Sequence, residues 1–257
     1  MRADELEKMF RLEDTYWWFV ARRRLVRDLL ARHLGRPDGS ARPLRILDVG
    51  CGTGATFQVL EGYGRPVGID RSPEALRYCR RRGDHALVLA RGEALPVQSS
   101  SVDAITALDL LEHIAEDGEA MRESARALRP GGLLVVTVPA LPWLWSEHDE
   151  ALDHLRRYRA GELRRALEQA GLEVVRLSPV ITLLLLPIGA LRLAQRAVRR
   201  RRTRPQTAFI IPPRAANWLL TALLWLENQW ALRWNLPVGV SLMAVARKPA
   251  IGLHDSL

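Results

Sequence analysis

At 257 residues, with 48% hydrophobic and 26% charged side chains, the chain suits one α/β domain with an elaboration, and global disorder is excluded. Two cysteines, Cys51 and Cys79, are too few for a disulfide framework and lack metal-ligand spacing, which favours a reducing cytoplasm. The net charge of +9 suggests nucleic acid only until it is located: Arg192, Arg196, Arg199, Arg200, Arg201, Arg202 and Arg204 form one acid-free stretch, and removing those seven charges leaves +2.

The opening MRADELEKMF is charged rather than a basic start before an apolar run, so no secretory signal is expected. Residues 3–34 read as one or two amphipathic helices, with Leu6, Met9, Phe10, Val20, Leu25, Leu29 and Leu30 at helical spacing and Gly35 and Pro37 as the stop. Leu44–Val49 is too short for a typical helix and is closed by glycines, so it reads as a first strand. Strands at 65–70, 85–90, 102–108 and 133–138 follow, separated by helices through 57–60, from Ser72-Pro73 onward, and at about 116–128. A helix over 161–170, a strand at 172–177 and a last strand at 240–247 complete the alternation.

The first strand runs into ILDVGCGTG (46–54). Gly50, Gly52 and Gly54 let the backbone turn tightly and approach a ligand where a Cβ would collide with it. Nicotinamide, flavin and S-adenosylmethionine (SAM) enzymes all use such a loop. The spacing here is G-x-G-x-G rather than the G-x-G-x-x-G of a pyrophosphate site, which disfavours NAD. Asp48 at the strand end can balance a cationic ligand. Asp70, about 20 residues after the glycines, can accept from two ribose hydroxyls, or it can serve as a turn-forming residue before the Ser-Pro helix start.

In LDVGCGTG (47–54), GID (68–70), GEALPVQSSSVDAITALDLLEHI (92–114) and LRPGGLLVVTVP (128–139), the chain strongly resembles the class I SAM-dependent methyltransferases, within the ubiquinone/menaquinone-type, methyltransferase type 11-like group. The resemblance implies a Rossmann-like, mainly parallel seven-stranded sheet of order 3-2-1-4-5-7-6, with SAM as cofactor. It implies that Asp48, Gly50 and Gly52, within a loop that includes Cys51 and Gly54, contact the methionine end of SAM. Asp70, followed by Arg71, would hold the ribose, Glu93 and Ala94 would flank the adenine, and Asp109 with Leu110 would line the methionyl end. This chain departs from the family in having Glu93 for the usual Asp and Val97 where Phe is common.

Methyl transfer from a sulfonium needs alignment more than acid/base help, but an O or N acceptor can require a base. His113 follows the fourth strand, on the ligand side of an open sheet, and alternatively packs as a helix-start residue against Glu112 and Ile114. Residues 143–158 (WLWSEHDEALDHLRRY) bring Trp143, Trp145, His148, Asp149, His154, Arg156, Arg157 and Tyr158 to the same side. His148 and His154 are six apart, not the four of a helical metal pair, and no metal site is expected. One reading makes these residues an acceptor pocket, with His148 or His154 as base, Arg157 for an anionic group, and Trp145 and Tyr158 as walls. The other makes them a loop tied by salt bridges. Tyr16, Trp17, Trp18 and Phe19 either wall an apolar acceptor, with Trp17 and Trp18 in contact, or anchor their helix to the core.

An insertion of 60-odd residues lies before the last strand. LSPVITLLLLPIGAL (177–191) is uncharged but shorter than the roughly 20 residues of a span, and it carries two prolines. The arginine run follows, and then a mostly apolar helix within 212–234 carries Trp218, Trp225, Trp230 and Trp234. That order suggests a protein lying on an anionic membrane; a dimer interface or a substrate lid is the alternative.

The expected organisation is a helical cap (1–36), a SAM-binding domain (37–177 and 239–249) and a helical insertion (178–238). The expected activity is methyl transfer to a small, hydrophobic or lipid-like acceptor, at oxygen first and carbon second, by a cytoplasmic enzyme, peripheral on the inner face of the membrane. A non-catalytic SAM- or nucleotide-binding accessory protein on the same fold is the alternative. A nucleic-acid methyltransferase is disfavoured by the localised charge and by the lack of an N/D-P-P-Y/F tetrapeptide. A homo-oligomer is left open.

Overall fold

The computed structural model describes residues 3–35, 42–197, 207 and 209–250. Most of the arginine run, residues 198–206, lies outside them. In chain order the elements are α1 (Ala3–Leu12), α2 (Trp17–Leu34), β1 (Leu44–Val49), α3 (Phe57–Leu60), β2 (Gly64–Asp70), α4 (Pro73–Arg80), β3 (Ala86–Leu89), β4 (Val102–Leu108), α5 (Asp117–Ala127), β5 (Leu128–Pro139), α6 (Glu147–Ala151), α7 (Ala160–Gln169), β6 (Glu173–Val180), α8 (Leu185–Ala197), α9 (Arg214–Ala231) and β7 (Ser241–Arg247).

The sheet order is β3-β2-β1-β4-β5-β7-β6. All pairs are parallel except those of β7, which runs antiparallel to β5 and β6. The period of two explains how both faces are covered. Leu47, Ile105, Leu134 and Val136 pack with Met121 of α5 and Leu163 and Leu167 of α7. Their neighbours Ile46, Ala104, Leu133 and Val135 pack with Leu25, Val26, Leu29 and Leu30 of α2 and Leu224 and Ala231 of α9. Each fully buried Leu or Ile contributes roughly 1.5–3 kcal/mol, so the two layers lock the strand ends in place.

The insertion is built into this core. Asn217 of α9 accepts from the Trp17 N–H (2.9 Å) and donates to the Thr15 carbonyl (2.8 Å). Gln229 donates to Asp28 (2.8 Å), and Asn228 to the Ala21 carbonyl (3.2 Å). The apolar run 177–191 divides between β6 and α8. Its prolines fall where they cost little: Pro179 on the sheet's edge strand and Pro187 in the first turn of α8. β3 is shorter than its sequence suggests and β5 longer, starting at Leu128.

Candidate active site

The carboxyl ends of the strands open into one cavity of about 430 Å³. Gly50 and Gly52 on its floor, and Gly54 just behind them, have φ of +72°, +55° and +86°, a left-handed region that favours glycine. A Cβ at Gly50 would lie 2.7 Å from Leu110 Cδ1, so glycine there is what lets Leu110 close over the loop.

Asp48 is buried in the cavity wall. Its Oδ1 accepts from Thr106 Oγ1 at 2.6 Å, while its Oδ2 has no partner among the described residues. Burial pushes its pKa up to about 7. An orphaned buried carboxylate oxygen beside a cradle without side chains fits a ligand that brings its own positive charge. Asp70 accepts from the backbone N–H of Gly52 (2.9 Å) and of Ser72 (2.8 Å), so it orders both the glycine loop and the start of α4.

The N-terminal helices are bolted to this loop. Buried Glu13 accepts from Thr53 Oγ1 and pairs with Arg82 at 3.1 Å, and Arg82 also donates to the Thr53 carbonyl at 2.8 Å. From α2, Arg22 reaches in to pair with Asp109 while stacking on Trp18 at 4.7 Å. Asp109 is held at φ +50°, an uncommon conformation for a non-glycine residue, and also accepts from Thr137 (3.2 Å).

Above the loop lies a hub centred on buried Asp149. It accepts from His154 Nδ1 (3.0 Å), Arg157 Nε (2.8 Å) and Arg192 Nη1 (3.1 Å), and Ser146 closes a capping box on it. Burial alone would raise the pKa of Asp149; His154 and the two guanidinium groups outweigh it and hold the carboxylate below its ordinary range. With Nδ1 donating to a carboxylate, His154 presents Nε2 as an acceptor. His113 packs edge-on against His154 with ring centroids 4.8 Å apart, and burial takes its pKa down to about 4. Burial, with Arg192 nearby, takes His148 to about 3. Both are therefore weak bases at neutral pH.

The three histidines line the cavity, as do Asp48, Gly50, Cys51, Gly52, Asp70 and Arg71. Glu93, Asp109, Leu110, Trp17, Trp18 and Arg157 line it too; Gly54, Ala94, Trp145 and Tyr158 are not among the lining residues. Tyr158 is buried and donates to Asp117 at 2.5 Å, bracing α5 rather than walling the pocket. Arg157 commits Nε to Asp149 and Nη1 to the Ala140 carbonyl (2.8 Å), so its charge is already paired with a carboxylate. The salt-bridged-loop reading is realised at Arg157, while His154 on the same hub faces the cavity. Arg192 likewise turns inward, which removes one of the seven arginines expected at a membrane surface.

Sequence reasoning missed Arg22, Glu112 and the part played by Asp149. Arg22 hides in a run of three arginines that looks solvated, and Glu112 reads as a packing partner of His113. The five-residue spacing of Asp149 and His154 was the available signal for the hub. Ligand atoms of Glu112, His113 and His154 lie within 4.8 Å of one another, a convergence that the six-residue separation of His148 and His154 does not reveal.

Comparison with known proteins agrees with this geometry. A family described as "Methyltransferase domain" matches residues 47–136. A ubiquinone biosynthesis O-methyltransferase of Azorhizobium caulinodans is 34% identical over 121 residues, covering 44% of this chain and 48% of that protein. One of the same name from a Chelativorans species is 31% identical over 206 residues, covering 66% and 80%. The chain thus spans about half the length of the first of these relatives and four fifths of the second. Among solved structures, the [4+2]-cyclase SpnF superposes with a TM-score of 0.56 at 26% identity, covering 88% of this chain and 80% of that one.

Proposed function

The chain belongs to the class I SAM-dependent methyltransferases, and from that premise we propose that it methylates a hydroxyl group of a small hydrophobic or lipid-like acceptor at an anionic membrane surface. The observation that carries the reading is that Asp48, Gly50 and Gly52 line the same cavity as His154, which Asp149 holds from behind. Carbon is the second choice of accepting atom, since an enol or phenol ring would use the same base.

When bound, SAM supplies an electrophilic methyl group, whose bond to sulfur breaks with the electron pair left on sulfur as the acceptor oxygen takes the methyl. Asp48 would balance its ammonium group, and Arg22, the cation already paired across the cavity with Asp109, its carboxylate. Asp70 would use its remaining lone pairs on the ribose, with Arg71 beside it and Glu93 toward the adenine. His154 Nε2 would take the hydroxyl proton, and Asp149 would hold the resulting imidazolium. Residues 1–36 and 178–238 form, in this reading, the cap over the domain made by 37–177 and 239–249. Asp70→Ala is expected to weaken SAM binding by about 1–3 kcal/mol, the scale of losing charged hydrogen bonds, and calorimetry checks it. Unchanged affinity would assign the ribose to another residue.

The membrane part rests on the outer face of α9. The helix buries Leu224 and Ala231 together with Thr221, Glu227 and Asn228, and exposes Trp218 (71%), Trp230 (67%), Leu219 and Leu226. α8, whose Ile188 and Leu191 line the cavity, exposes Leu186 (83%) and Leu193. Among the described residues no helix is long and apolar enough to cross a membrane, so contact would be interfacial. Arginines beyond Arg192 would each add about 1 kcal/mol on an anionic leaflet. Flotation should bring the protein up with phosphatidylglycerol vesicles at physiological salt, and replacing Trp218, Trp225 and Trp230 together with Ser should abolish it. Absence of wild-type binding would remove the membrane from this account. Production of S-adenosylhomocysteine (SAH) on addition of cell lipid extract tests the transfer itself. That matters because the [4+2]-cyclase shows that this fold also carries other chemistry.

A further inference from the structure

Glu112 lies on the 3₁₀ turn Leu111–His113, directly after the strand end that carries Asp109, and it lines the cavity. It is fully buried, and among the described residues neither carboxyl oxygen has a hydrogen-bond partner. Burying a carboxyl with both oxygens unsatisfied is costly, and a sequence retains such a group where a ligand completes it. His154 Nε2 stands 3.9 Å from Glu112 Oε1, too far for a hydrogen bond. It is close enough for one oxygen atom to touch both.

We propose that Glu112 and His154 bracket the acceptor's hydroxyl, with the Glu112 carboxyl donating to its oxygen and His154 Nε2 accepting its proton. Glu112 is then an acceptor-binding residue that selects an oxygen-bearing ring over a bare one, while His154 Nε2 separates a hydroxyl from an ether. Three features support this polarity. His154 Nδ1 is committed to Asp149, so Nε2 is the nitrogen with an open lone pair. Burial, reinforced by the Asp109 carboxylate, raises the Glu112 pKa well above the ordinary range and keeps a proton on the acid. An acid that keeps its proton beside a ring nitrogen with an open lone pair gives the gap one donor and one acceptor, both of which a hydroxyl meets and an ether meets only in part.

The proposal rests on the hydroxyl-acceptor reading above, and its test is chosen to separate the two. The full chain is titrated calorimetrically with SAH and then, with SAH bound, with 4-octylphenol and with octylbenzene. The wild type should prefer the phenol by about a hundredfold, the scale of one hydrogen bond from Glu112 and one to His154. Glu112→Leu should lower that preference by about tenfold, leaving the part His154 supplies, yet unfold at the same or a higher temperature, because an unpaired buried acid is gone. Glu112→Gln, whose amide can donate, should keep most of it. Equal affinities in the wild type, an undiminished preference in Glu112→Leu, or an equal fall in both variants would overturn the assignment. So would a preference abolished by EDTA, which would place a cation among Glu112, His113 and His154 instead. Failure of the wild type to bind SAH would defeat the parent reading, whereas intact SAH binding with equal phenol and octylbenzene affinities defeats only the assignment of Glu112.

Discussion

Replacement of His154 by Ala is expected to lower the rate of lipid-supported methyl transfer by about 10²- to 10⁴-fold, the usual worth of a positioned general base. SAM affinity should stay within about twofold, because His154 approaches Asp149 and Glu112 but none of the glycine-loop residues. His113→Ala and His148→Ala are useful contrasts, since burial holds both imidazoles neutral and poorly basic at working pH. Parallel loss of turnover and SAM affinity in His154→Ala would instead mark a structural residue.

The largest stability effect is expected at Asp149. Its side chain meets His154, Arg157 and Arg192 in a buried setting, and removing it strands two guanidinium groups. Breaking a buried ion pair from one side costs about 3–5 kcal/mol. For a chain of this size that corresponds to roughly 10 °C in Tm. The carboxylate is held below its ordinary pKa, so the stability it contributes is present above the unfolded-state value and lost as pH falls through the folded one. The difference between wild type and Asp149→Ala should therefore be flat from pH 8 to about 5 and narrow only in stronger acid, which denaturant melts at stepped pH will show. A gap that closes well above about pH 5 would take the weight of the hub off the Asp149 carboxylate.

The sheet was legible because its signals are local. Apolar runs of strand length, glycine punctuation and the Ser72-Pro73 helix start suffice to place β1, β2, β4 and β7 within a residue or so. The placement of the glycine loop, Asp48 and Asp70 at one cavity was legible for the same reason, since each closes a short apolar strand. What stayed hidden depends on residues far apart in sequence. Nothing near Asp149 announces that Arg192 will reach it, and nothing in Arg22-Arg23-Arg24 says which guanidinium meets Asp109. The orientation of α9 could not be read from its composition either. Its tryptophans suggest an apolar contact face without saying which side meets the domain; Asn217, Asn228 and Gln229 are what α2 recruits, and that leaves Trp218 and Trp230 outward. Tyr158 shows the reverse error, an aromatic near the site whose hydroxyl serves the core.

The most direct test of the central claim is calorimetric titration of the folded full chain with SAM, SAH and NAD in parallel. Saturable binding of SAM and SAH with no heat from NAD is the predicted result, since the orphaned Asp48 oxygen seeks a cationic group and the G-x-G-x-G loop lacks pyrophosphate spacing. A protein shown to be folded that is silent toward both SAM and SAH would contradict the account at its base.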